Sequence, residues 1–217
     1  MSERIVQKPG SNTGNCKGAL KVTAPRVALA IAATLMLAIA ACAPRAAAPP
    51  QAAQGGPGGP FQLVDEDGRA VDQRVLDGKW SIVFFGYTYC PDYCPTTLTT
   101  LGAALDKLGA KADRVQVVFI TVDPARDSPA QLKRYLSSKV FPKHVIWLTG
   151  TPAQIAAAAK QYSVYYQKDG SGANYTVDHS TALYLMDPSG RFHAVIADNL
   201  TPDQEAHAIT EATGGEV

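Results

Sequence analysis

Residues 61–217 predict an α/β domain in which a central sheet is flanked by helices. Two short apolar runs, WSIVFFG (Trp80–Gly86) and VQVVFITV (Val115–Val122), have the length and composition of strands buried on both faces. Helical periodicity follows the first run, with Leu98, Leu101, Leu105 and Leu108 at spacings of three and four. A repeated device of a hydroxyl residue, Pro, any residue and Gln then marks three further helix starts. Strands alternating with helices in this way argue for an α/β sheet rather than for separate α and β layers.

Taken in order, Phe61–Val64 and Arg69–Asp72 flank Asp65-Glu66-Asp67-Gly68, which signals an N-terminal hairpin. Trp80–Gly86 is the first buried strand. Cys94-Pro95 opens a helix, with Pro95 suited to a first helical position, where its missing N–H costs nothing. Val115–Val122 is the second buried strand. Ser128-Pro129-Ala130-Gln131, Thr151-Pro152-Ala153-Gln154 and Thr201-Pro202-Asp203-Gln204 read as capping boxes, in which side chains satisfy orphan backbone donors. Val145–Thr149 reads as a strand. Ala182–Met186 and Arg191–Ile196 read as a hairpin across Asp187-Pro188-Ser189-Gly190. A βαβ unit with two cysteines at its first strand-to-helix turn, closed by an antiparallel hairpin and a helix, points to a thioredoxin-like domain. The hairpin before the first buried strand makes it the peroxiredoxin-type variant. No internal repeat is visible.

The chain ahead of this domain has a different character. Lys8, Lys17, Lys21 and Arg26 make a basic start, and Glu3 is the only acid before residue 65. An uncharged run of 18 residues from Val27 to Pro44 follows, giving residues 1–41 the layout of a secretory signal. Its end, Ile39-Ala40-Ala41-Cys42, is similar to the lipobox of bacterial lipoproteins, in which the cysteine thiol is acylated. The run also reaches the lower limit for a spanning helix, so a retained membrane anchor is the rival reading and a plain secreted protein a third. All three export the domain, to the periplasmic side of a bacterial cytoplasmic membrane. Residues 42–60, rich in Ala, Pro and Gly, contain no apolar run that could form a core and read as a tether.

The whole chain of 217 residues has 20 Lys+Arg against 19 Asp+Glu, a net charge of +1. Residues 1–41 hold five basic residues and one acid, which leaves 15 against 18 and a charge of −3. Neither balance provides a field for gripping nucleic acid. A 46% apolar content excludes disorder throughout, and four cysteines are too few for a disulfide-stapled miniprotein. Cys16 lies in the basic start and has no evident function, so the folded part keeps only Cys90 and Cys94.

Those two form a CxxxC pair in Gly86-Tyr87-Thr88-Tyr89-Cys90-Pro91-Asp92-Tyr93-Cys94-Pro95. If Cys94 sits at the helix N-terminus, the free N–H groups there favour its thiolate. The spacing is one residue wider than a thioredoxin dithiol, so both sulfurs could face a common point and still oxidise together. Two soft thiolates at one point suit Cu(I), which Mg or Ca would not. A structural disulfide is the plain alternative, although closing so small a loop contributes little entropy. His179 follows a Gly-rich segment, KDGSGAN (168–174), and precedes a strand expected to return beside the first one. From there its imidazole could supply a third ligand, one that also tolerates Cu(II). A lone His before a strand is more often a surface or capping residue.

GYTYCPDYCPT (Gly86–Thr96), VDPARD (Val122–Asp127) and VDHSTALYLMDPSG (Val177–Gly190), in this order and spacing, closely resemble the SCO/SenC family of copper-binding thioredoxin-fold proteins. The resemblance runs from about Phe61 to Ala212. It implies that Cys90, Cys94 and His179 bind copper, as Cu(I), Cu(II) or both. It also implies a role in assembling the dinuclear copper site of cytochrome c oxidase subunit II, by delivering copper, by reducing that site's cysteines, or by both. The partners implied are that subunit, a copper donor protein or thiol reductant, and the membrane through a lipid or an N-terminal helix. Two departures stand out: Tyr93 occupies a position that is commonly Val, and a lipobox-like end lies where many members keep a transmembrane anchor, which leaves the mode of anchoring open. A peroxidase is a weaker alternative, since its usual single-cysteine context is missing.

Other residues invite lesser roles. Asp92 places a carboxylate between the thiols, where it could hold a partner, tune their protonation or simply be a solvated turn acid. Asp178 could orient His179, although adjacent residues on an extended chain point to opposite faces. Asp123 with Arg126 or Asp127 reads as a structural brace after the second strand. Tyr87, Tyr89 and Tyr93 fall either against the core or on an aromatic rim for docking another protein. His144, His193 and His207 read as surface or structural residues.

Overall fold

The computed structural model describes residues 56–135 and 137–217. The signal or anchor, Cys16, Cys42 and residues 42–55 of the tether therefore lie outside the described residues. Among those described, no helix is long and apolar enough to cross a membrane.

The elements are β1 (Gln62–Asp65), β2 (Ala70–Asp72), β3 (Trp80–Gly86), α1 (Tyr93–Leu108), β4 (Val115–Thr121), α2 (Pro129–Tyr135), β5 (Val145–Thr149), α3 (Pro152–Gln161), β6 (Tyr166–Asp169), β7 (Thr176–His179), β8 (Leu183–Met186), β9 (Phe192–Ile196) and α4 (Pro202–Ala212). Seven strands form one mixed sheet in the order β2-β1-β5-β4-β3-β8-β9, with helices packed against it. This is the α/β, thioredoxin-like arrangement with an N-terminal hairpin that the sequence predicts.

The two apolar runs become the central parallel pair. Every residue of β3 and β4 is buried, and their register sets Phe84 opposite Phe119 and Gly86 opposite Thr121. The core between sheet and helices is aromatic: the Phe119 ring lies 4.4 Å from Trp147 and 5.6 Å from Phe84. β8 returns antiparallel beside β3, pairing Leu183 with Phe84. That pairing brings the segment after His179 alongside the strand that leads to the cysteines.

Two of the three expected capping boxes are complete. The Thr151 hydroxyl accepts from the Gln154 N–H, and the Gln154 amide oxygen accepts from the Thr151 N–H at 2.8 Å; Thr201 and Gln204 repeat the arrangement. At α2 only half forms. The Ser128 hydroxyl accepts from the Gln131 N–H at 3.3 Å, but the Gln131 side chain turns away and donates to the Thr88 hydroxyl at 3.1 Å. A capping glutamine is thus diverted to the loop that carries the cysteines.

Two features depart from the sequence expectation. Residues 56–59 pack against the domain: Gly58 is buried, and its N–H donates to the Gln161 carbonyl at 2.8 Å. A Cβ on Gly58 would lie 2.8 Å from Met186, and one on Gly59 would lie 2.6 Å from the Gln161 side chain. These glycines permit close approach rather than flexibility. The second feature is a separate two-stranded ribbon, β6 paired antiparallel with β7, around the Gly-rich segment in a stretch where the sequence marks no strand. His179 ends β7 instead of simply preceding β8.

Glu205 on α4 is 2% exposed and its Oε2 has no hydrogen-bond partner. Burial pushes its carboxyl up to about 7 from the usual 4.5. A raised carboxyl contributes full stability below pH 4.5 and loses it as pH rises through 7. Glu205→Gln should match the parent at pH 4 and exceed it by about 3 kcal/mol at pH 8. Urea denaturation at both pH values checks this, and equal pH dependence in the two proteins would refute it.

Candidate metal centre

β3 delivers the chain to the site and α1 receives it. Gly86 ends β3, residues 87–92 turn, and α1 starts at Tyr93, so Cys94 is its second residue and Pro95 its third rather than its first. The turn is closed by the Cys90 N–H donating to the Tyr87 carbonyl at 3.2 Å. Cys90 is half-buried, Cys94 is fully buried, and both are free thiols.

The helix N-terminus acts on the other cysteine from the one expected. The Cys94 N–H points to the Cys90 sulfur at 3.3 Å, and the Asp92 N–H also favours the charged form of Cys90. Cys94 itself points inward toward Gly86 and Phe119. The hydrogen bond from the Cys94 thiol, joined by those two amides, lowers Cys90 from 9.0 to about 3 against the cost of burial. The same shared proton, reinforced by burial and by the neighbouring Cys90 thiolate, drives Cys94 far upward. Geometry assigns the thiolate to Cys90 because its sulfur lies over two amides at the start of α1, whereas the buried Cys94 sulfur meets only that of Tyr87.

β7 supplies the third donor. The ligand atoms of Cys90, Cys94 and His179 all lie within 4.8 Å of one another, and the His179 Nε2 is 3.5 Å from the Cys94 sulfur. The other ring nitrogen, Nδ1, faces the Ser180 carbonyl at 2.8 Å. A carbonyl only accepts, so Nδ1 carries the proton and Nε2 presents its lone pair to the sulfurs. Phe84 and Tyr87 meet the imidazole edge-on, with ring centroids at 6.3 and 5.9 Å. Two sulfurs and one imidazole nitrogen, converging within one coordination sphere, are a donor set for a soft or borderline metal.

The neighbouring carboxylates do not join this set. Asp178 is exposed, and the Ser180 carbonyl rather than this carboxylate holds the ring. Asp92 is exposed at the start of α1, and its side chain makes no cap bond to the helix backbone. Asp127 is the acid that the sequence undervalued. It is completely buried and accepts from the Thr88 N–H at 3.0 Å, the Thr88 hydroxyl at 2.6 Å and the Thr121 hydroxyl at 2.6 Å. Burial raises its carboxyl. It fastens the start of the cysteine turn to β4. Asp123 pairs with Arg126 and accepts from the Tyr175 hydroxyl at 2.6 Å.

Of the three tyrosines, Tyr87 alone is buried; Tyr89 is 50% and Tyr93 40% exposed, and the Tyr93 hydroxyl bonds Asp198. His193 bonds the Ala212 carbonyl at 2.6 Å and meets Trp80 edge-on, while His207 pairs with Glu211 on the surface of α4. His144 is exposed before β5.

The sequence model described as SCO1/SenC matches residues 49–214. The chain belongs to the SCO1/SenC family. Protein SCO1, mitochondrial, of Saccharomyces cerevisiae is 45% identical over 158 residues, which cover 71% of this chain and 53% of that protein. Protein SenC of Rhodobacter capsulatus is 45% identical over 153 residues, covering 70% of this chain and 68% of that protein. Bradyrhizobium japonicum ScoI, solved with copper bound, is 44% identical with a TM-score of 0.66, over 72% of this chain and 99% of that one. The chain spans about half the length of the mitochondrial SCO1 relatives, 43% and 53% for those of Arabidopsis thaliana and yeast.

Proposed function

We propose that the chain is a copper metallochaperone that holds one copper ion through Cys90, Cys94 and His179. The convergence of those three donor atoms within 4.8 Å carries this reading. The solved relative with copper bound supports it. Cys90 is already a thiolate in the metal-free protein, so copper capture requires only the Cys94 proton to leave. The half-buried Cys90 sulfur is the one that an acceptor's thiolate can exchange with, while buried Cys94 holds on. A disulfide between the two could not hold Cu(I), so the redox state gates loading. The acceptor we infer is the dinuclear copper site of cytochrome c oxidase subunit II, with the metal coming from a separate donor. We place the work on the periplasmic side of a bacterial membrane, with the chain tethered through a lipid on Cys42 or through residues 27–44 as a helix.

The test is copper titration of the reduced full chain. One equivalent should bind. His179→Ala should lower Cu(II) affinity about 100-fold while holding Cu(I), which two thiolates satisfy. Unchanged Cu(II) affinity would refute the three-donor site.

A second reading rests on one observation, the accessible Cys90 thiolate beside a buried Cys94 thiol. In a thiol–disulfide exchange, Cys90 attacks a partner disulfide and expels one partner sulfur as a thiolate. Cys94 then displaces the other, leaving the partner reduced and this pair oxidised. A thiol reductant must then restore the pair. Full partner reduction by His179→Ala would favour this reading.

A further inference from the structure

One guanidinium touches both halves of the site. The Arg126 Nη1 donates to the Tyr175 carbonyl at 3.0 Å and to the Ala173 carbonyl at 3.2 Å, both on the approach to β7. Its Nε pairs with Asp123, which also receives the Tyr175 hydroxyl. The Arg126 Cζ lies 3.5 Å from the centre of the Tyr175 ring and 4.8 Å from that of Tyr89, the residue before Cys90. It is 5.7 Å from Tyr87, whose hydroxyl accepts the Val177 N–H at 3.2 Å. The cysteine turn and the histidine ribbon therefore meet through the same planar cation.

Stability alone is a poor reason for this arrangement. The Arg126 side chain is only 15% exposed, it has one carboxylate partner, and its Nη2 is buried with no hydrogen-bond partner. A buried cation with an unsatisfied donor recovers little of its desolvation cost, and apolar packing would serve stability better. What the guanidinium provides is a rigid fork: two ribbon carbonyls on one edge, a carboxylate on another, and aromatic rings on its faces.

We propose that Arg126 is a positioning residue for His179, holding the β6–β7 ribbon at the separation from the cysteine turn that lets Nε2 reach the sulfurs. This rests on the copper reading for its consequence, but not for its geometry. Loss of the fork lets the ribbon drift, and the imidazole leaves the site while both sulfurs stay. The effect should fall on Cu(II), which needs the nitrogen, and spare Cu(I).

The test uses the reduced full chain and the variants Arg126→Gln, His179→Ala and the double variant, titrated with Cu(I) and Cu(II) against chelators. Arg126→Gln should lower Cu(II) affinity at least about 10-fold and change Cu(I) affinity less than about threefold. The double variant should bind Cu(II) no more weakly than His179→Ala, because Arg126 acts only through the ring. In the metal-free protein, nitrogen-15 spectra should show a single His179 tautomer with Nδ1 protonated, and a mixture in Arg126→Gln. Cu(II) losses that simply add in the double variant, or an unchanged tautomer, would overturn the proposal. If His179→Ala leaves copper binding intact, the copper reading fails, and the tautomer spectra alone decide the positioning role. Should Arg126→Gln fail to fold, Arg126→Lys keeps the charge, loses the fork, and should shift both readouts the same way.

Discussion

In the reduced, metal-free protein, Cys90 should react with iodoacetamide at least about 100-fold faster than Cys94. Exposure and acidity both separate the thiols. Cys90 is half-buried and lowered to about 3, whereas Cys94 is fully buried and shifted upward. The Cys90 rate should change less than about twofold between pH 5 and 8, because its thiolate is fully formed across that window. An ordinary thiol would accelerate about 1,000-fold over the same range. Peptide mapping after short exposure at each pH distinguishes the sites. Equal labelling of both, or a Cys90 rate that climbs steeply towards pH 8, would show that the shared proton does not reside on Cys94.

Replacing Gly86 with alanine should damage fold and site together. A Cβ there would lie 2.9 Å from the Cys94 sulfur and 2.9 Å from the Phe119 ring. Neither neighbour yields readily, because Phe119 is fixed between Phe84 and Trp147 at the centre of the sheet. Overpacking of this kind costs about 1–3 kcal/mol, read as a lower denaturation midpoint. The more informative effect is chemical. The Cys94 thiol is the main cause of the depressed Cys90 pKa, so displacing its sulfur should raise that pKa and restore pH dependence to Cys90 alkylation. Loss of stability with an unchanged alkylation profile would separate the packing role of Gly86 from its role at the dithiol.

These expectations show where the sequence was legible. β3 coincides with Trp80–Gly86, and β4 with all but the last residue of the run from Val115 to Val122, because a continuous apolar stretch buried on both faces leaves no ambiguity of period. The CxxxC pair was legible as a soft-metal donor pair from residue type, and His179 as a third donor only from its place after a Gly-rich segment and from the family resemblance. The β6–β7 ribbon was not. Its eight residues include one buried side chain, Val177, so there was no hydrophobic alternation to find. The diverted Gln131 looked the same as its two capping counterparts, since the hydroxyl that captures it comes from Thr88, 43 residues away. The identity of the thiolate also depends on distance in space: it turns on which sulfur overlies the amides of Asp92 and Cys94. Gly58 and Gly59 fit a spacer by composition, and only Met186 and Gln161 reveal them as points of contact.

The ribbon has a kinetic consequence. The cysteines sit where β3, near the middle of the main sheet, joins α1, whereas His179 belongs to a two-stranded element outside that sheet. Small peripheral elements open at a fraction of the global free energy, so amide hydrogens of β6 and β7 should exchange far sooner than those of β3 and β4. Cys90, Cys94 and His179 should therefore differ in how long each stays in place. On the proposed copper site the imidazole would come and go many times during the lifetime of the sulfur pair, and release would follow a fixed order: imidazole first, then the half-buried sulfur, and the buried one last.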